Sequence, residues 1–206
     1  GPCMYIKNNS VSNFILIGDS HANTLSLATI YWGEKISNNY NFIPLNGTVG
    51  RCLLSAQNDT PDFRLDCTDI FFNNFLNKLN PNDKVAVIGR FPIWIGEAGK
   101  NSLQCDAECN HIKTIEERIK KIALKVEELI IIYPVPTHPY SITASYFYRQ
   151  HYWGDVVATD YEIWRELAQD SYIFLDSINS KNISRIKTEE LFCSTVVNSK
   201  CIAAKP

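Results

Sequence analysis

The stretch of sequence that decides the fold is FILIGDSH, which occupies residues 14–21 of the 206-residue chain. Its first four residues are apolar and typical of a buried β-strand, and the residues after Ser20 have the apolar spacing of an amphipathic helix. Ser20 therefore stands where a strand ends and a helix begins, and where backbone N–H groups and the helix dipole favour an oxyanion. Such a position suits a nucleophile. The alternative is that Asp19 or Ser20 only caps the helix and takes no part in chemistry.

Apolar segments alternate with helical ones along the rest of the chain. After the first strand, the pattern predicts strands at 41–45, 84–88, 129–133 and 172–176, helices near 67–79, 112–126 and 160–169, and a polar loop at 46–66. Strands that are apolar throughout and alternate with helices indicate a parallel sheet with helices on both faces. Ligands bind such sheets beyond the carboxyl ends of the strands, and Ser20, Gly47, Gly50 and Arg90 all follow predicted strands.

The composition is that of an ordinary globular domain, with 45% hydrophobic and 20% charged residues. The formal charge is −2 and no stripe of lysine and arginine is present, so nucleic acid is not an expected partner. The longest apolar runs, such as 129–133, are too short to span a bilayer. Gly1 and Pro2 are typical of the residues left after an expression tag is removed, and we expect residues 3–206 to form a single domain.

Most of the seven cysteines lie in local groups. Zinc sites favour CxxC knuckles with further Cys or His close by, and none is present, so no metal is expected. Short polar loops between the members of each group favour disulfides in an exported protein, whereas reduced thiols in a cytosolic enzyme are the alternative. The predicted bridges are Cys52–Cys67, Cys105–Cys109 and Cys193–Cys201, and Cys3 is left over.

The GDSH motif at 18–21 resembles block I of the SGNH/GDSL hydrolase superfamily. More narrowly, the whole chain resembles the SGNH domain fused behind the membrane acyltransferase-3 family of bacterial O-acetyltransferases. The stretches that carry this resemblance are FILIGDSHA at 14–22, GRC at 50–52 with Cys67, VAVIGRF at 85–91, YPVP at 133–136, LFC at 191–193 and KCIA at 200–203. The resemblance implies a three-layer α/β/α sandwich with a mainly parallel five-stranded sheet, similar to the flavodoxin-like folds.

The resemblance also assigns roles to residues by their position. Ser20 would be the nucleophile, and the backbone N–H groups of Ser20 and Gly50 would hold the oxyanion, with Gly47 a less favoured alternative to Gly50. The superfamily usually has an Asn donor after the third strand, where this chain has Arg90. Arg90 could supply a cationic donor at the same place, or it could be a surface residue in an ion pair.

The general base that the resemblance implies is missing from the sequence. Members of the superfamily share a final Asp-x-x-His block that supplies and orients this base, and no such block occurs in the 206 residues. His21 is expected, with Asp19, to support the nucleophile turn, and only His138 follows a strand whose end lies near Ser20. A structural role is favoured for His138 as well. We expect the block to follow Pro206, so that the chain alone is nearly inactive; loss of catalysis is the alternative.

The function implied by the resemblance is that of an O-acyltransferase with an acyl-serine intermediate. The chain would be the periplasmic or extracytoplasmic domain of an inner-membrane protein, and would transfer acetyl groups to a cell-surface polysaccharide such as lipopolysaccharide. A membrane acyltransferase domain of the same polypeptide would deliver the acyl donor, and no cofactor is expected. The alternatives are a free-standing SGNH carbohydrate esterase and a non-catalytic glycan-binding module. Four aromatic residues near strand ends could stack on sugars or serve only as hydrophobic cover: Phe91, Trp94, Tyr140 and Trp153.

Overall fold

The strands and helices alternate along most of the chain, in a computed structural model that describes residues 12–26, 40–55, 67–95, 110–136, 152–153, 156–193 and 200–204. The strands are β1 (Ser12–Gly18), β2 (Tyr40–Leu45), β3 (Lys84–Ile88), β4 (Glu128–Ile132), β5 (Tyr152–Trp153), β6 (Val156–Asp160), β7 (Ile183–Ile186) and β8 (Lys200–Ala204). The helices are α1 (20–26), α2 (Gly47–Ser55), α3 (Asp69–Leu76), α4 (Phe91–Ile95), α5 (Asn110–Ala123), α6 (Tyr161–Ser177) and α7 (Glu189–Phe192).

A five-stranded sheet in the order β2-β1-β3-β4-β7 forms the centre of the fold. All four pairings in it are parallel, which confirms the predicted α/β architecture. Because every strand points the same way, the carboxyl ends of β1, β2 and β3 meet at one edge, with Ile17 opposite both Leu45 and Val87. A second, antiparallel sheet has the order β5-β6-β8.

Helices cover both faces of the central sheet, as the sandwich requires. The larger core lies on the face of Ile17, Val87 and Ile131, beneath apolar residues of α2, α3, α4, α5 and α6. The opposite face packs Leu16 and Ile88 against α1. Among the described residues, no helix is long and apolar enough to cross a membrane.

The predicted fifth strand at 172–176 is wrong, because these residues belong to α6. Their apolar character resembles that of a strand, but the buried residues Trp164, Ala168, Tyr172 and Leu175 have helical spacing, and Ile173 is 62% exposed. No glycine or proline lies between 161 and 177 to end the helix. The fifth strand is β7, a short edge strand in which Ser184 and Ile186 are exposed and Ile183 and Arg185 are half-buried.

The predicted polar loop at 46–66 is also wrong in part, since α2 occupies Gly47–Ser55. Two glycines disfavour a helix there by propensity alone. Burial overrides this preference, because Cys52, Leu53 and Leu54 are at most 1% exposed in the core.

Two of the predicted disulfides are present in the structure. Cys52–Cys67 joins α2 to the short segment before α3, and Cys193–Cys201 joins the end of α7 to β8. The predicted Cys105–Cys109 bridge and Cys3 lie outside the described residues.

Candidate active site

Ser20 is the first residue of α1, directly after the turn that ends β1, and its side chain is exposed. The turn is possible because Gly18 has no side chain. A Cβ atom at Gly18 would lie 1.9 Å from the carbonyl oxygen of Ile88 and 2.8 Å from the Cβ of Ala22. The absence of a side chain therefore lets α1 begin against the end of β3, and the hydroxyl of Ser20 stands at the carboxyl edge of the sheet.

Asp19 is the residue that ties this edge together, and it is only 7% exposed. Its carboxylate accepts the backbone N–H of His21 at 2.9 Å and the backbone N–H of Arg90 at 3.0 Å. Its own carbonyl oxygen accepts the N–H groups of Asn23 at 3.2 Å and Gly47 at 3.3 Å. A single residue thus connects the nucleophile turn, the start of α2 and the end of β3.

Gly50 lies in the first turns of α2, packed against the backbone behind the nucleophile. A Cβ atom there would lie 2.1 Å from the carbonyl oxygen of Gly18 and 2.2 Å from that of Leu45. The N–H of Gly47, the alternative donor, is already bonded to the carbonyl oxygen of Asp19. The structure therefore brings the Gly50 backbone next to the strand end that carries Ser20.

Two arginines lie close to Asp19. Arg90 has an exposed side chain between β3 and α4, and its carbonyl oxygen accepts the N–H of Trp94 at 3.1 Å. Arg51, on α2, belongs to the GRC stretch, but the sequence analysis gave it no role. Burial lowers the pKa of Arg51, the carboxylate of Asp19 opposes this shift, and the positive charge of Arg90 adds to it. These two cations give the edge a positive potential that favours an anion.

His21 is half-buried, and its backbone N–H is held by Asp19. Burial lowers the pKa of its imidazole, Asp19 opposes the shift and Arg90 reinforces it. In the described part of the chain, its buried Nδ1 has no hydrogen-bond partner. His21 is therefore neutral at pH 7, and its backbone rather than its ring is connected to the turn.

A comparison with protein-family models matches residues 1–205 to the SGNH domain that is found fused to AT3 (acyltransferase-3) domains. The chain belongs to this SGNH family. The resemblance drawn from the GDSH, GRC and VAVIGRF stretches is thereby confirmed. Neither the curated proteins nor the solved structures provide a match.

Within the described ranges of the SGNH domain, no histidine ring or carboxylate is hydrogen-bonded to the Ser20 hydroxyl. Both carboxylate oxygens of Asp19 accept backbone N–H groups instead. His138, the other histidine considered as a base, lies outside the described residues. The described residues also contain no group of side chains arranged to hold a metal ion.

Two of the four aromatic residues considered as sugar platforms are hydrophobic cover in this SGNH domain. Phe91 and Trp94 are 0% and 2% exposed, and their rings pack edge to face at 5.3 Å. Tyr140 and the side chain of Trp153 lie outside the described part. A groove of about 520 Å³ runs along α6 and is lined by none of the predicted site residues; its lining is Tyr161, Glu162, Arg165, Glu166, Gln169, Tyr172, Ile173 and Asp176.

Proposed function

We propose that this SGNH domain catalyses acyl transfer with Ser20 as nucleophile, as the exported domain of a membrane-bound O-acetyltransferase. The observation that carries the proposal is the bonding of Asp19. This residue connects the Ser20 turn, the start of α2 and the backbone of Arg90 at the carboxyl edge of the sheet. Backbone N–H groups fixed around one exposed hydroxyl are what an acyl-transfer site needs.

The reaction would proceed in two displacements. A general base takes the Ser20 proton, Oγ attacks the carbonyl carbon of the acetyl donor, and the resulting oxyanion is held by the N–H groups of Ser20 and Gly50 and by Arg90. Collapse of this intermediate expels the donor's leaving group, which takes the proton back from the base, and leaves acetyl-Ser20. A hydroxyl of the acceptor polysaccharide then gives its proton to the base and attacks the carbonyl carbon of acetyl-Ser20. The second intermediate collapses, and Ser20 Oγ leaves and takes the proton back from the base.

The positive potential at the edge supports the same assignment. The guanidinium of Arg51 interacts with the carboxylate of Asp19, which also accepts the backbone N–H of Arg90, and the side chain of Arg90 is exposed. The negative charge that develops during acyl transfer would be stabilised there, and neutral His21 would not compete for it.

We infer that the general base is the histidine of an Asp-x-x-His block, which the superfamily resemblance implies and the 206 residues do not contain. In support of this, no histidine ring or carboxylate among the described residues is hydrogen-bonded to the Ser20 hydroxyl. Substitution of that histidine by alanine should abolish the labelling of Ser20 by a fluorophosphonate. If the protein continues without such a block and Ser20 is not labelled, the domain is a non-catalytic glycan-binding module.

The partners follow from the fusion that defines the family. The AT3 domain, in the same polypeptide, would deliver the acetyl donor, and the SGNH domain would act outside the cytoplasm on a cell-surface polysaccharide. The disulfides Cys52–Cys67 and Cys193–Cys201 support an oxidising compartment such as the periplasm.

The proposal is tested by Ser20→Ala in the full-length protein, expressed in place of the wild-type gene. We expect the O-acetyl content of the surface polysaccharide to fall to that of a strain lacking the gene. Ser177→Ala, which removes an exposed hydroxyl at the end of α6, serves as the matched control and should keep the wild-type content. Full acetylation in the Ser20→Ala strain would refute the proposal.

A different outcome would favour the esterase alternative. In that case, purified wild-type protein would release acetate from 4-nitrophenyl acetate through Ser20, yet loss of the gene would leave the O-acetyl content of the polysaccharide unchanged or higher.

A further inference from the structure

Arg118, on α5, is a charged residue buried to 2% exposure. A charge buried in this way destabilises the fold unless it is hydrogen-bonded, and among the described residues both Nη atoms of Arg118 have partners whereas its Nε has none. Its Nη1 donates to the carbonyl oxygens of Cys52 at 2.8 Å and Leu53 at 3.1 Å. Its Nη2 donates to the carbonyl oxygen of Cys67 at 3.3 Å and to a carboxylate oxygen of Asp69 at 3.0 Å. Three of the four acceptors are therefore backbone carbonyls.

Two of these carbonyls belong to the last turn of α2, which ends at Ser55. Carbonyl groups in the last turn of a helix have no N–H partner within the helix, and a positive charge at this end is favoured by the helix dipole. The guanidinium of Arg118 supplies both the donors and the charge. The Cys52–Cys67 disulfide connects the same two segments, and the ring of Phe72 lies 4.7 Å from the guanidinium carbon.

The opposite end of α2 lies beside the nucleophile. Gly47 is bonded to the carbonyl oxygen of Asp19, and Gly50 packs against the backbone of Gly18. A helix of nine residues is a rigid rod about 14 Å long. Its orientation is set by its two ends, one held by Asp19 and the other by Arg118 together with the Cys52–Cys67 disulfide.

We propose that Arg118 is a positioning residue for the oxyanion hole, acting through α2 on the backbone N–H of Gly50. The inference rests on the proposed function, because it assigns Gly50 as a donor to the oxyanion. Arg118 itself does not touch the reacting atoms. Its loss lets the end of α2 move, so that the Gly50 donor no longer lies at the distance and angle that the oxyanion requires.

The chain offers a matched control in Arg185. The Nη2 of Arg185 donates to the carbonyl oxygens of Leu175 and Ile178 at the end of α6. Arg185 therefore also bonds carbonyl groups at the end of a helix, with its side chain 26% exposed against 3% for Arg118, and α6 carries none of the proposed oxyanion donors. A general loss of stability is expected from either substitution, whereas a loss of oxyanion stabilisation is expected from only one.

The test compares Arg118→Met, Arg118→Lys and Arg185→Met in the full-length protein, with 4-nitrophenyl acetate as acyl donor, at a temperature where each variant is folded by circular dichroism. We expect kcat to fall about 100-fold in Arg118→Met and about 10-fold in Arg118→Lys, with KM changed less than about 3-fold, because a misplaced donor acts on the transition state. Arg185→Met should change kcat less than about 3-fold.

Equal falls in kcat for Arg118→Met and Arg185→Met would overturn the inference. If Arg118→Met does not fold, Arg118→Lys alone decides, since this variant keeps the charge but cannot reach all three carbonyls; a wild-type kcat in this variant overturns the inference. Failure of the proposed function is recognised separately, because Ser20→Ala would then keep the wild-type kcat for 4-nitrophenyl acetate.

Discussion

Two buried aspartates connect β1 and β3, one at each edge of the central sheet. At the carboxyl edge, Asp19 follows β1 and accepts the N–H of Arg90, which follows β3, at 3.0 Å. At the amino edge, Asp83 precedes β3 and accepts the N–H of Asn13, near the start of β1, at 2.8 Å. The backbone carbonyl of each aspartate also accepts an N–H from a further segment. The two residues therefore make the same kind of connection between the same two strands.

The edges differ in what surrounds each aspartate. Near Asp83, the cation Lys84 is paired with Glu128 at 2.9 Å across neighbouring strands. Near Asp19, the exposed hydroxyl of Ser20 and the exposed guanidinium of Arg90 stand beside glycines that bring the backbone close. The buried carboxylates of Asp19 and Asp83 thus both connect β1 to β3. Only Asp19 has neighbours that belong to a proposed catalytic site.

The largest expected effect comes from exchanging each aspartate for asparagine. Asp19→Asn and Asp83→Asn each replace one of two accepting carboxylate oxygens by a donating NH2 group, which leaves a backbone N–H without an acceptor, and each should lower the free energy of unfolding by about 2 kcal/mol. Only Asp19→Asn should lower kcat for 4-nitrophenyl acetate, by about 1,000-fold, because only its partners form the proposed site. Urea denaturation and steady-state kinetics of both variants check this. Similar kinetic losses in the two variants would remove the distinction between the edges.

A smaller effect is expected when the close packing at the carboxyl edge is relieved. Gly50→Ala would place a Cβ 2.1 Å from the carbonyl oxygen of Gly18, so α2 must move and kcat should fall about 100-fold. Gly47→Ala is the control, because no atom lies within 4 Å of its Cβ, although its φ of +63° makes alanine unfavourable. Gly47→Ala should cost about 1 kcal/mol of stability and little activity. A Gly50→Ala enzyme as active as Gly47→Ala would refute this placement of α2.

The charges of the two edges offer a third comparison. Arg90→Met should lower kcat about 10-fold, because it removes one exposed cation beside the proposed oxyanion but keeps the backbone N–H bonded to Asp19. The difference from wild type should shrink as sodium chloride is raised, because salt screens exposed charges. Lys84→Met, at the amino edge, should leave kcat unchanged at every salt concentration. A salt-independent loss in Arg90→Met would indicate a structural role for this side chain.

The smallest expected effect is a dependence of stability on pH at the carboxyl edge. The pKa of His21 is lowered in the folded state, mainly by burial, so the unfolded chain binds a proton that the folded protein does not. This contribution to stability is fully present above the unfolded pKa of about 6.5 and is lost as the pH falls below it. His21→Gln should therefore reduce the fall in melting temperature between pH 7.5 and pH 5.5, measured by calorimetry. An unchanged difference would show that His21 does not titrate in this way.

The far half of the carboxyl edge is built differently. At the end of β4, the Tyr133 hydroxyl is hydrogen-bonded to Asp176 and the Thr188 hydroxyl to the carbonyl oxygen of Pro134. Burial and the neighbouring carboxylate of Asp176 raise the pKa of Tyr133, so its hydroxyl stays protonated. These contacts connect the end of β4 to α6 and to the start of α7.

The parts of the fold that the sequence predicts correctly are those governed by local pattern. The apolar runs of β1, β3 and β4 and the turn before Ser20 are each recognisable within about ten residues. The error at 172–176 has a related cause, since a short apolar run is compatible with a buried strand and with the buried side of a helix.

The parts of the site that the sequence does not reveal depend on contacts between distant residues. Asp19 and Arg90 are 71 positions apart, and Arg118 is 66 positions from the carbonyl that it bonds on Cys52. Backbone carbonyls carry no sequence signal, so a buried arginine that bonds them looks like any charged residue of the amphipathic helix α5. Only the arrangement in space shows that Asp19 bonds the backbone of Arg90, and only it distinguishes Arg118 from a surface arginine.

The most direct measurement is the rate at which an acetyl group appears on Ser20. The full-length protein, its Asp19→Asn and Asp83→Asn variants and Ser20→Ala are mixed with 4-nitrophenyl acetate, quenched in acid and digested, and the peptide containing Ser20 is followed by mass spectrometry. We predict acetyl-Ser20 in wild type and at a similar rate in Asp83→Asn, a rate lower by about 1,000-fold in Asp19→Asn, and no acetylated peptide in Ser20→Ala. Equal rates in the two aspartate variants, or an acetyl group found only on other residues, would contradict the account.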